Sequence, residues 1–251
     1  MTGGDADIAA TAALFADPAR VRVLAALADG RSLAASVLAG EAGLSAQGTS
    51  AHLAKLREAG LVTVERSGRH RFYRLAGPEV AEVMETLARF APPQPVRSLR
   101  AGTRAQALRF ARTCYDHLAG RLGVAVTSAL LEAGALAATD GVRSTRRREG
   151  DRLSAPLAAH PYTLGPEAQP VFRSLGVDVD AVRRRKRPLL RFCLDWSEQR
   201  HHLAGGLGAE LAVAMERLGW IERRAPGHRA VRLTDRGALE LDARFGVTLA
   251  A

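Results

Sequence analysis

The stretch SAQGTSAHLAKLREAGLV, residues 45–62, predicts a capped helix that is followed at once by a β-strand. Ser45 is a good N-cap, because its hydroxyl can accept hydrogen bonds from the free amides of the first turn. Gly60 ends the helix, since glycine tolerates the left-handed conformation that closes a helix. The next five residues, LVTVE, alternate as in a half-buried strand. Three side chains recur at i, i+4 and i+7 and share the inner face of the helix: Thr49, Leu53 and Leu56.

The opposite face of this helix carries small polar groups and a cation. Ser50, His52 and Lys55 fall largely off the apolar face. A short helix of this kind fits the major groove of DNA, which is wide enough to admit one α-helix. The stretch therefore predicts a recognition helix with the first strand of a wing directly behind it.

The charge of the whole chain agrees with this interpretation. Its 251 residues carry a formal net charge of +10, and 47% of them are hydrophobic, enough to build a packed core. A protein this basic usually binds a polyanion, and nucleic acid is the default. The alternative is a compositional preference for arginine, since Lys55 and Lys186 are the only lysines.

The sequence shows no sign of export or membrane insertion. It has no run of 18 apolar residues, the length at which a membrane span is suspected. Residues 1–15 lack the basic start of a signal peptide. Two cysteines in a chain this long do not form a disulfide scaffold. We expect a cytoplasmic protein with reduced thiols and no membrane partner.

The residues around the opening stretch predict the rest of a small N-terminal domain, residues 1–91. The first helix, Asp7–Ala16, is expected to turn Ile8, Ala12 and Phe15 inward, and the second, which starts at Asp17-Pro18, to turn Val21, Leu24 and Leu27 inward. A supporting helix, Leu33–Ala42, comes next. An arginine-rich wing, Glu65–Arg74, returns Phe72 and Leu75 to the core, and a closing amphipathic helix, Pro78–Phe90, offers a dimer face.

These features resemble the ArsR/SmtB family of winged helix-turn-helix regulators. The resemblance covers residues 8–91 and rests on DPARVRVLAAL, on S-x-x-x-x-S-x-H-L-x-x-L-R-E-A-G-L-V and on a basic wing that ends in RFYRL. It implies a homodimer that binds inverted repeats in double-stranded DNA, represses, and releases DNA when an effector binds. By position it assigns DNA contacts to Gln47, Gly48, Thr49, Ser50, His52 and Lys55.

The chemistry of these residues suits such contacts. Gln47 and Thr49 can exchange hydrogen bonds with base edges. Lys55 and the basic wing residues Arg66, Arg69, His70 and Arg71 can neutralise phosphates, which adds affinity without sequence information. The alternatives are backbone capping or a solvated helix face for Ser50 and His52, and a solvated hairpin for the wing.

The chain departs from the family pattern at several positions. It lacks the proline usual near Gly48 and the histidine usual at Ala51, which puts the base preference in question. The supporting helix, SLAASVLAGEAG, has no cysteine, and the closing helix, EVAEVMETLARF, has no histidine. The family's N-terminal metal positions therefore cannot be carried over, and any sensor lies elsewhere in the chain.

A proline-rich linker, residues 92–104, precedes a C-terminal domain over 105–251 that contains an internal duplication. RTCYDHLAGRLG recurs as RFCLD followed by HLAGGLG, and each copy runs on through an apolar helix to a hairpin. Each repeat, about 105–180 and 187–248, is predicted as a degenerate winged helix: helix, LAG turn, second helix, hairpin. The fold class is thus mainly α with small β-hairpin wings, an N-terminal winged helix-turn-helix and two winged-helix-like repeats that serve sensing or dimerisation.

Two basic segments of this domain have no assigned role. The insertion over 139–161 contains an arginine-rich stretch, 143–152, and is expected to be a mobile loop. The run Arg183–Arg187 lies between the repeats. It either touches the DNA backbone or forms a solvated helix end.

The cysteines occupy equivalent places in the two repeats, each with an aspartate two residues on and histidine beyond. Cys114 and His117 would share a face at helical spacing. The set could bind a divalent metal such as zinc, form a redox-active thiol pair, or simply pack in the core, while the aspartates could cap helices or hold Arg112 or Arg191. The candidate sensing residues are Cys114, Asp116, His117, Cys193, Asp195, His201 and His202.

The sequence therefore predicts a DNA-binding transcriptional regulator, a dimeric repressor released by an effector that the C-terminal domain senses. The alternative is a constitutive or architectural DNA-binding protein without an effector. Catalysis by a Cys-His-Asp set is not expected, because nothing supplies an oxyanion site. No cofactor is certain, and the effector is unknown.

Overall fold

The computed structural model describes residues 6–68, 70–88, 90–91, 106–149, 151, 161–223 and 228–249. The chain divides into two compact units, Met1–Arg104 and Ala105–Ala251. Across the described ranges, no helix has the length and apolar character needed to cross a bilayer. The predicted linker, 92–104, lies outside the described residues.

The first unit is a winged helix-turn-helix. Helix α4 follows α3 after a short turn, and the wing strands β2 and β3 join β1 in an antiparallel sheet of order β1-β3-β2. Its elements are α1 Ile8–Ala16, α2 Pro18–Leu27, β1 Leu33–Ala34, α3 Ala35–Ala42, α4 Ala46–Glu58, β2 Val62–Ser67, β3 His70–Leu75 and α5 Pro78–Ala88.

Local chemistry fixes where these helices begin. The Asp17 carboxylate accepts from the amides of Ala19 and Arg20, both at 2.9 Å, and Pro18 stands at the first helical position, where no amide is needed. The Ser45 hydroxyl accepts from the Gly48 amide at 3.1 Å, as the sequence predicts. These caps set the phase of α2 and α4 and therefore which side chains turn inward.

The core of the first unit differs from the prediction at two places. Tyr73 and Leu75 are buried whereas Phe72 is half-buried, because alternate residues of a strand face opposite sides and Phe72 cannot share a face with Leu75. Ile8 is 76% exposed and Ala12 is exposed, so the inward face predicted for α1 is wrong at these two positions, whereas Phe15 is half-buried and packs against the core as predicted. The buried core comprises chiefly Val23, Leu24, Leu27, Leu38, Leu53, Leu56, Val62 and Val80.

Within the described ranges of the second unit, residues 106–110 are helical and are followed by four antiparallel hairpins and five helices. They are β4 Arg112–Cys114, β5 His117–Ala119, α6 Gly120–Glu132, β6 Leu136–Ala138, β7 Tyr162–Leu164, α7 Ala168–Ser174, α8 Val179–Arg183, β8 Arg191–Leu194, β9 His201–Ala204, α9 Gly205–Arg217, β10 Ile221–Arg223, β11 Val231–Leu233 and α10 Asp235–Phe245.

The same order of elements occurs twice in this unit. The first half, β4 to α7, and the second half, β8 to α10, each run hairpin, helix, hairpin, helix. Helices α6 and α9 both have 13 residues and both start at a glycine with a φ of +75°, Gly120 and Gly205. The element directly before each LAG is a β-hairpin and not the predicted helix. Residues 106–110 are nevertheless helical ahead of the first hairpin, whereas residues 187–190 form no helix, so the predicted leading helix is absent only from the second repeat. That the halves arose by duplication stays a prediction.

The two halves share one hydrophobic core and exchange backbone hydrogen bonds. The amide of Thr113 in β4 donates to the carbonyl of Arg229 at 2.8 Å, just ahead of β11. Conversely, the amide of His201 in β9 donates to the carbonyl of Thr145 at 2.7 Å, in the loop ahead of β7. Each leading hairpin is therefore held by the other half. Large side chains from both halves meet in the core, among them Leu122, Leu130, Phe172, Phe192, Leu207, Met215 and Trp220.

The described part of the arginine-rich insertion is anchored. Arg148 pairs with Asp140 at 2.7 Å and donates to the carbonyls of Val142 and Ser144, and Thr145 is fully buried. These contacts order the described residues 139–149, and the mobility of the insertion stays a prediction. Residues 150 and 152–160 lie outside the described chain.

Candidate nucleic-acid interface and candidate metal centre

Helix α4 presents a polar outer face. Gln47, Ser50 and Lys55 are exposed, and Gly48 is half-buried. The Ser50 hydroxyl donates to the carbonyl of Ala46 at 3.0 Å and keeps its acceptor lone pairs for an outside donor. Gln47 and Lys55 are thus the longest side chains of the predicted set that project from this face.

Thr49 does not belong to this face. It is fully buried, and its hydroxyl donates to the carbonyl of Ser45 at 2.9 Å. It lies on the same stripe as Leu53 and Leu56, so a base edge cannot reach it. The prediction that Thr49 contacts bases is wrong, since one position cannot serve both the apolar stripe and the groove.

His52 lies at the edge of the face. Its side chain is half-buried, and its Nδ1 atom is 4.0 Å from Oδ1 of Asp17. Backbone hydrogen bonds, that from Arg20 above all, hold the pKa of Asp17 below its usual value, so the carboxylate stays charged beside the ring. This position ties α4 to the start of α2 and leaves only part of the imidazole for DNA.

The wing places like charges opposite each other. In the β2–β3 hairpin, Arg66 pairs directly with Arg71 and Ser67 with His70, and all four side chains are exposed. Like charges directly opposite each other on one sheet face repel and destabilise a hairpin. A polyanion lying along the wing would relieve that repulsion. Arg69 falls outside the described residues.

Four predicted sensing residues meet at one point of the second unit. Cys114 and His117 are cross-strand partners in β4–β5, and Cys193 and His202 are cross-strand partners in β8–β9. One possible ligand atom from each of these residues lies within 4.8 Å of those of the other three. We call this group the Cys2His2 cluster.

The expected helical face for Cys114 and His117 is wrong. A two-residue turn, with Tyr115 at a φ of +62°, connects their strands. Residues that flank such a turn are i and i+3 apart, the same separation as neighbours on a helix. The predicted proximity is present, but a hairpin produces it.

Both imidazoles of the cluster are buried with ring nitrogens that make no hydrogen bond. His117 is 4% and His202 is 1% exposed, and their Nε2 atoms have no partner. On the other side of each ring a carboxylate approaches: Asp116 lies 3.5 Å from Nδ1 of His117, and Asp195 lies 3.8 Å from Nδ1 of His202. The rings stack with centroids 5.2 Å apart.

Burial and close neighbours shift the pKa values of three groups in the cluster. Burial lowers the pKa of His202, and the Cys193 side chain together with burial raises the pKa of the Cys114 thiol. For His117, burial opposes the charge, but the neighbouring Asp116 and Cys114 outweigh it and raise the pKa. Neutral imidazole is the form that binds metals.

The other three predicted sensing residues have partners elsewhere. Asp116 forms an ion pair with Arg187, and His201 is bonded on both ring nitrogens, to Asp151 at 2.7 Å and to the Tyr162 hydroxyl at 2.9 Å. Asp116 and Asp195 also approach the imidazoles of the cluster, whereas His201 is bonded away from it.

Asp195 is the centre of a buried polar network. Its Oδ2 accepts from Arg112 at 2.9 Å and from the Gly120 amide at 2.6 Å. Burial alone would raise the pKa of Asp195, but the charges of Arg112 and His202 and the hydrogen bonds to the carboxylate lower that pKa to about 2. Arg112 also lies over the Trp196 ring, 5.0 Å from its centroid. The sequence named Arg112 as one possible partner. The sequence gave no signal for Tyr162 or Asp151, because both contact His201, which lies 39 and 50 positions away in the chain.

The basic run between the halves is ion-paired at three positions. Arg183 pairs with Asp180, Arg185 with Glu210 and Arg187 with Asp116. The run follows directly on α8, and its side chains are partly exposed. These pairs favour the solvated helix end over a DNA contact.

Comparison with known proteins extends the likeness beyond the first unit. A helix-turn-helix domain family matches residues 15–65. A protein of Bacillus subtilis (strain 168) named as an uncharacterized HTH-type transcriptional regulator, YdfF, is 39% identical over 243 residues, 97% of this chain and 99% of its own. The HTH-type transcriptional regulator KmtR of Mycobacterium tuberculosis is 44% identical over 71 residues, 28% of this chain and 54% of its own.

A solved structure covers about a third of the chain. HlyU from Vibrio cholerae N16961, in its reduced form, is 31% identical over 34% of this chain and 93% of its own, with a TM-score of 0.30. The likeness to YdfF, by contrast, includes the second unit and its hairpins.

Proposed function

The chain belongs to the HTH-type transcriptional regulators, and from this premise we propose that it is a dimeric, ArsR-like repressor that leaves its operator when the second unit binds an effector. DNA binding follows from membership in the family. The direction of regulation, the dimer and the effector are the proposal. The observation that carries it is that the chain has both an exposed polar face on α4 and a wing on which two exposed arginines, Arg66 and Arg71, lie opposite each other.

Docking of α4 in the major groove gives each exposed residue a distinct task. Gln47 lies in the first turn, where a side chain can reach a base edge and hydrogen-bond to adenine. Lys55 lies two turns later and suits a phosphate. Arg66 and Arg71 extend the contact along the backbone, where they set affinity and its salt dependence.

An uncovered apolar surface supports the dimer. Val83, Leu87 and Phe90 are exposed along and just after α5, and Ile8 is exposed on α1. A second copy could cover these side chains, and a twofold dimer would place two α4 helices on an inverted repeat.

The second unit is the candidate sensor because the first offers no thiol. Helices α3 and α5 contain neither cysteine nor histidine. Both cysteines of the chain lie in the second unit and face two buried histidines.

Salt-dependent binding to DNA from the region upstream of its own gene tests the DNA contact. The logarithm of the association constant should fall linearly with the logarithm of salt concentration, by about 0.9 for each neutralised phosphate. The double variant Arg66→Ala/Arg71→Ala removes two arginines from each chain of the proposed dimer and should reduce this slope by about 4. Arg232→Ala, which removes an exposed arginine paired with Glu222 in the second unit, should leave the slope unchanged.

Two results would contradict the proposal. If no upstream fragment forms a complex at low salt, the DNA contact is wrong. If metal ions, oxidants and cell extract all leave the operator affinity unchanged, the protein binds DNA constitutively, and the effector part is wrong.

A further inference from the structure

We propose that Cys114, His117, Cys193 and His202 bind one zinc ion per chain, and that this ion is the effector of the regulator. The binding site stands on the geometry of the second unit alone. The role as effector rests on the proposed function.

The donor set selects the metal. Two thiol sulfurs and two imidazole nitrogens are the ligands of four-coordinate zinc sites, and tetrahedral S2N2 geometry favours zinc over calcium, magnesium or copper(II). Bonds of about 2.0–2.3 Å place tetrahedral ligands about 3.5 Å apart. The ligand atoms here lie within 4.8 Å of one another. Closing the shell requires side-chain shifts of roughly 1 Å.

The free imidazole nitrogens point to an absent partner. Buried polar atoms are nearly always hydrogen-bonded, and an exception calls for an explanation. Nε2 of His117 and both nitrogens of His202 are exceptions, although the rings are almost fully buried. His201, next in sequence to His202, uses both of its nitrogens in hydrogen bonds of 2.7 and 2.9 Å. Strand β9 therefore contains one histidine whose ring nitrogens are both hydrogen-bonded, His201, and next to it one whose ring nitrogens are not, His202.

Charge balance allows the ion to be buried. On binding, each thiol would release its proton to solvent and each sulfur would donate an electron pair to the metal. Two thiolates then cancel the 2+ charge, and the two imidazoles remain neutral. The loaded centre adds no net charge to the interior, which would otherwise disfavour a bare cation.

Carboxylates behind the rings would orient them. Zinc-binding histidines usually direct their second nitrogen at a carboxylate or carbonyl, which fixes the tautomer. Asp116 and Asp195 occupy those places, at 3.5 and 3.8 Å from the Nδ1 atoms. Arg187 and Arg112 hold the two carboxylates in turn. We expect both histidines to bind through Nε2.

The position of the cluster explains how an ion could act as a signal. Each half of the second unit supplies one cysteine and one histidine from its leading hairpin. Coordination would draw β4–β5 and β8–β9 together and would give the two Nε2 atoms a partner. The ion thus favours one packing of the two hairpins over another, which is the differential binding that any effector requires.

Cobalt(II) titration of the full chain under reducing conditions tests the site. We expect saturation at one Co²⁺ per chain, thiolate-to-cobalt charge-transfer bands, tetrahedral d–d bands, and displacement by one equivalent of Zn²⁺. Cys193→Ser and His202→Asn should each weaken zinc binding at least tenfold. His201→Asn is the matched control and should retain one cobalt per chain with the same bands.

Circular dichroism of each variant before titration separates lost ligands from lost fold. If a single variant does not fold, Cys114→Ser, on the other hairpin, carries the same test. A parent chain that binds no cobalt, or that binds it without charge-transfer bands, overturns the proposal. Loss of 2 Da per chain in air, together with no metal bound by the reduced protein, assigns the thiols to a redox pair and also overturns it.

Operator binding, measured with one equivalent of Zn²⁺ and with a chelator, tests the effector role. We expect zinc to lower the affinity for DNA about tenfold, a typical size of allosteric coupling, and to have no effect in Cys193→Ser. One zinc per chain with unchanged DNA affinity overturns the effector role and leaves a structural site. If the chain binds zinc but no DNA in either state, the proposed function fails, and the cobalt titration still decides the site.

Discussion

At the scale of single residues, α4 has one residue exposed for DNA contact and another buried in the core only two positions apart. Gln47 is exposed in the first turn, while Thr49, two residues on, is fully buried and bonded to Ser45. We predict that Gln47→Ala reduces the preference for the operator over unrelated DNA by about tenfold or more, since a good base contact is worth about 1–3 kcal/mol. Thr49→Val should leave that preference unchanged. Competition binding with both DNAs measures the two variants, and the opposite order would contradict the groove docking.

A second residue-scale prediction concerns the buried pair Arg112–Asp195, whose side chains are 1% and 0% exposed. Arg112→Met would leave a buried carboxylate without its main partner, and breaking such a pair costs about 3–5 kcal/mol. We expect a matching loss in the free energy of unfolding, measured in urea by the fluorescence of Trp196 and Trp220. Arg232→Met breaks an exposed pair with Glu222 and should cause no measurable change. Equal effects of the two variants would contradict a structural role for the buried pair.

At the scale of elements, the sequence predicted a helix correctly where a local pattern is compatible with only one kind of structure. The Ser45 and Asp17 caps and the apolar spacing of α4 each favour a single structure. The spacing of Cys114 and His117 does not, because three residues separate both neighbours on a helix and partners across a two-residue turn. The proximity of Cys193 and His202 was even less accessible, since they pair across a longer loop and meet the other hairpin only through the packing of the halves.

Helix α9 yields an element-scale prediction from its first residue. Gly205 has a φ of +75°, and a Cβ there would lie 2.7 Å from the amide nitrogen of Arg191. Gly219, just after the same helix, has a φ of +70° and open space around a Cβ. Gly219→Ala should cost about 1 kcal/mol from backbone strain alone. Gly205→Ala should cost more, because the β8 backbone must also move. Urea unfolding followed by tryptophan fluorescence compares the two variants, and equal losses would show that the close approach to β8 does not matter.

At the scale of the whole molecule, the sequence identified a winged helix and a second domain, but it missed the inner structure of that domain. Two hairpins were taken for helices, and the contacts with which Arg148 and Thr145 order the described part of the insertion were not predicted. The hydrogen bonds from the amides of Thr113 and His201 run between the halves, so no local pattern records them, whereas those of Arg148 stay within the insertion. The cluster itself was left open between metal, redox and core packing, and choosing among these required knowing which nitrogens lack partners.

The proposed dimer gives a prediction for the assembled protein. Leu87→Glu places a charge on the uncovered apolar surface of α5, where the parent residue is exposed in the single chain. We expect the parent to be a dimer and the variant a monomer by light scattering, with operator affinity reduced at least tenfold because each half-site is then bound separately. Leu239→Glu, at an exposed leucine in the second unit, is the control and should remain dimeric. A parent that is monomeric at micromolar concentration would refute the interface.

The four proposed ligands come from two hairpins that are far apart in the sequence, and this has a consequence for biosynthesis. A nascent chain that has emerged as far as Phe192 holds only Cys114 and His117, and two donors make a weak chelate. The full set exists only after His202 has left the ribosome and both hairpins have docked. Acquisition of the ion is therefore a late, post-translational event, and a chain truncated before β8 could neither capture zinc tightly nor report its abundance.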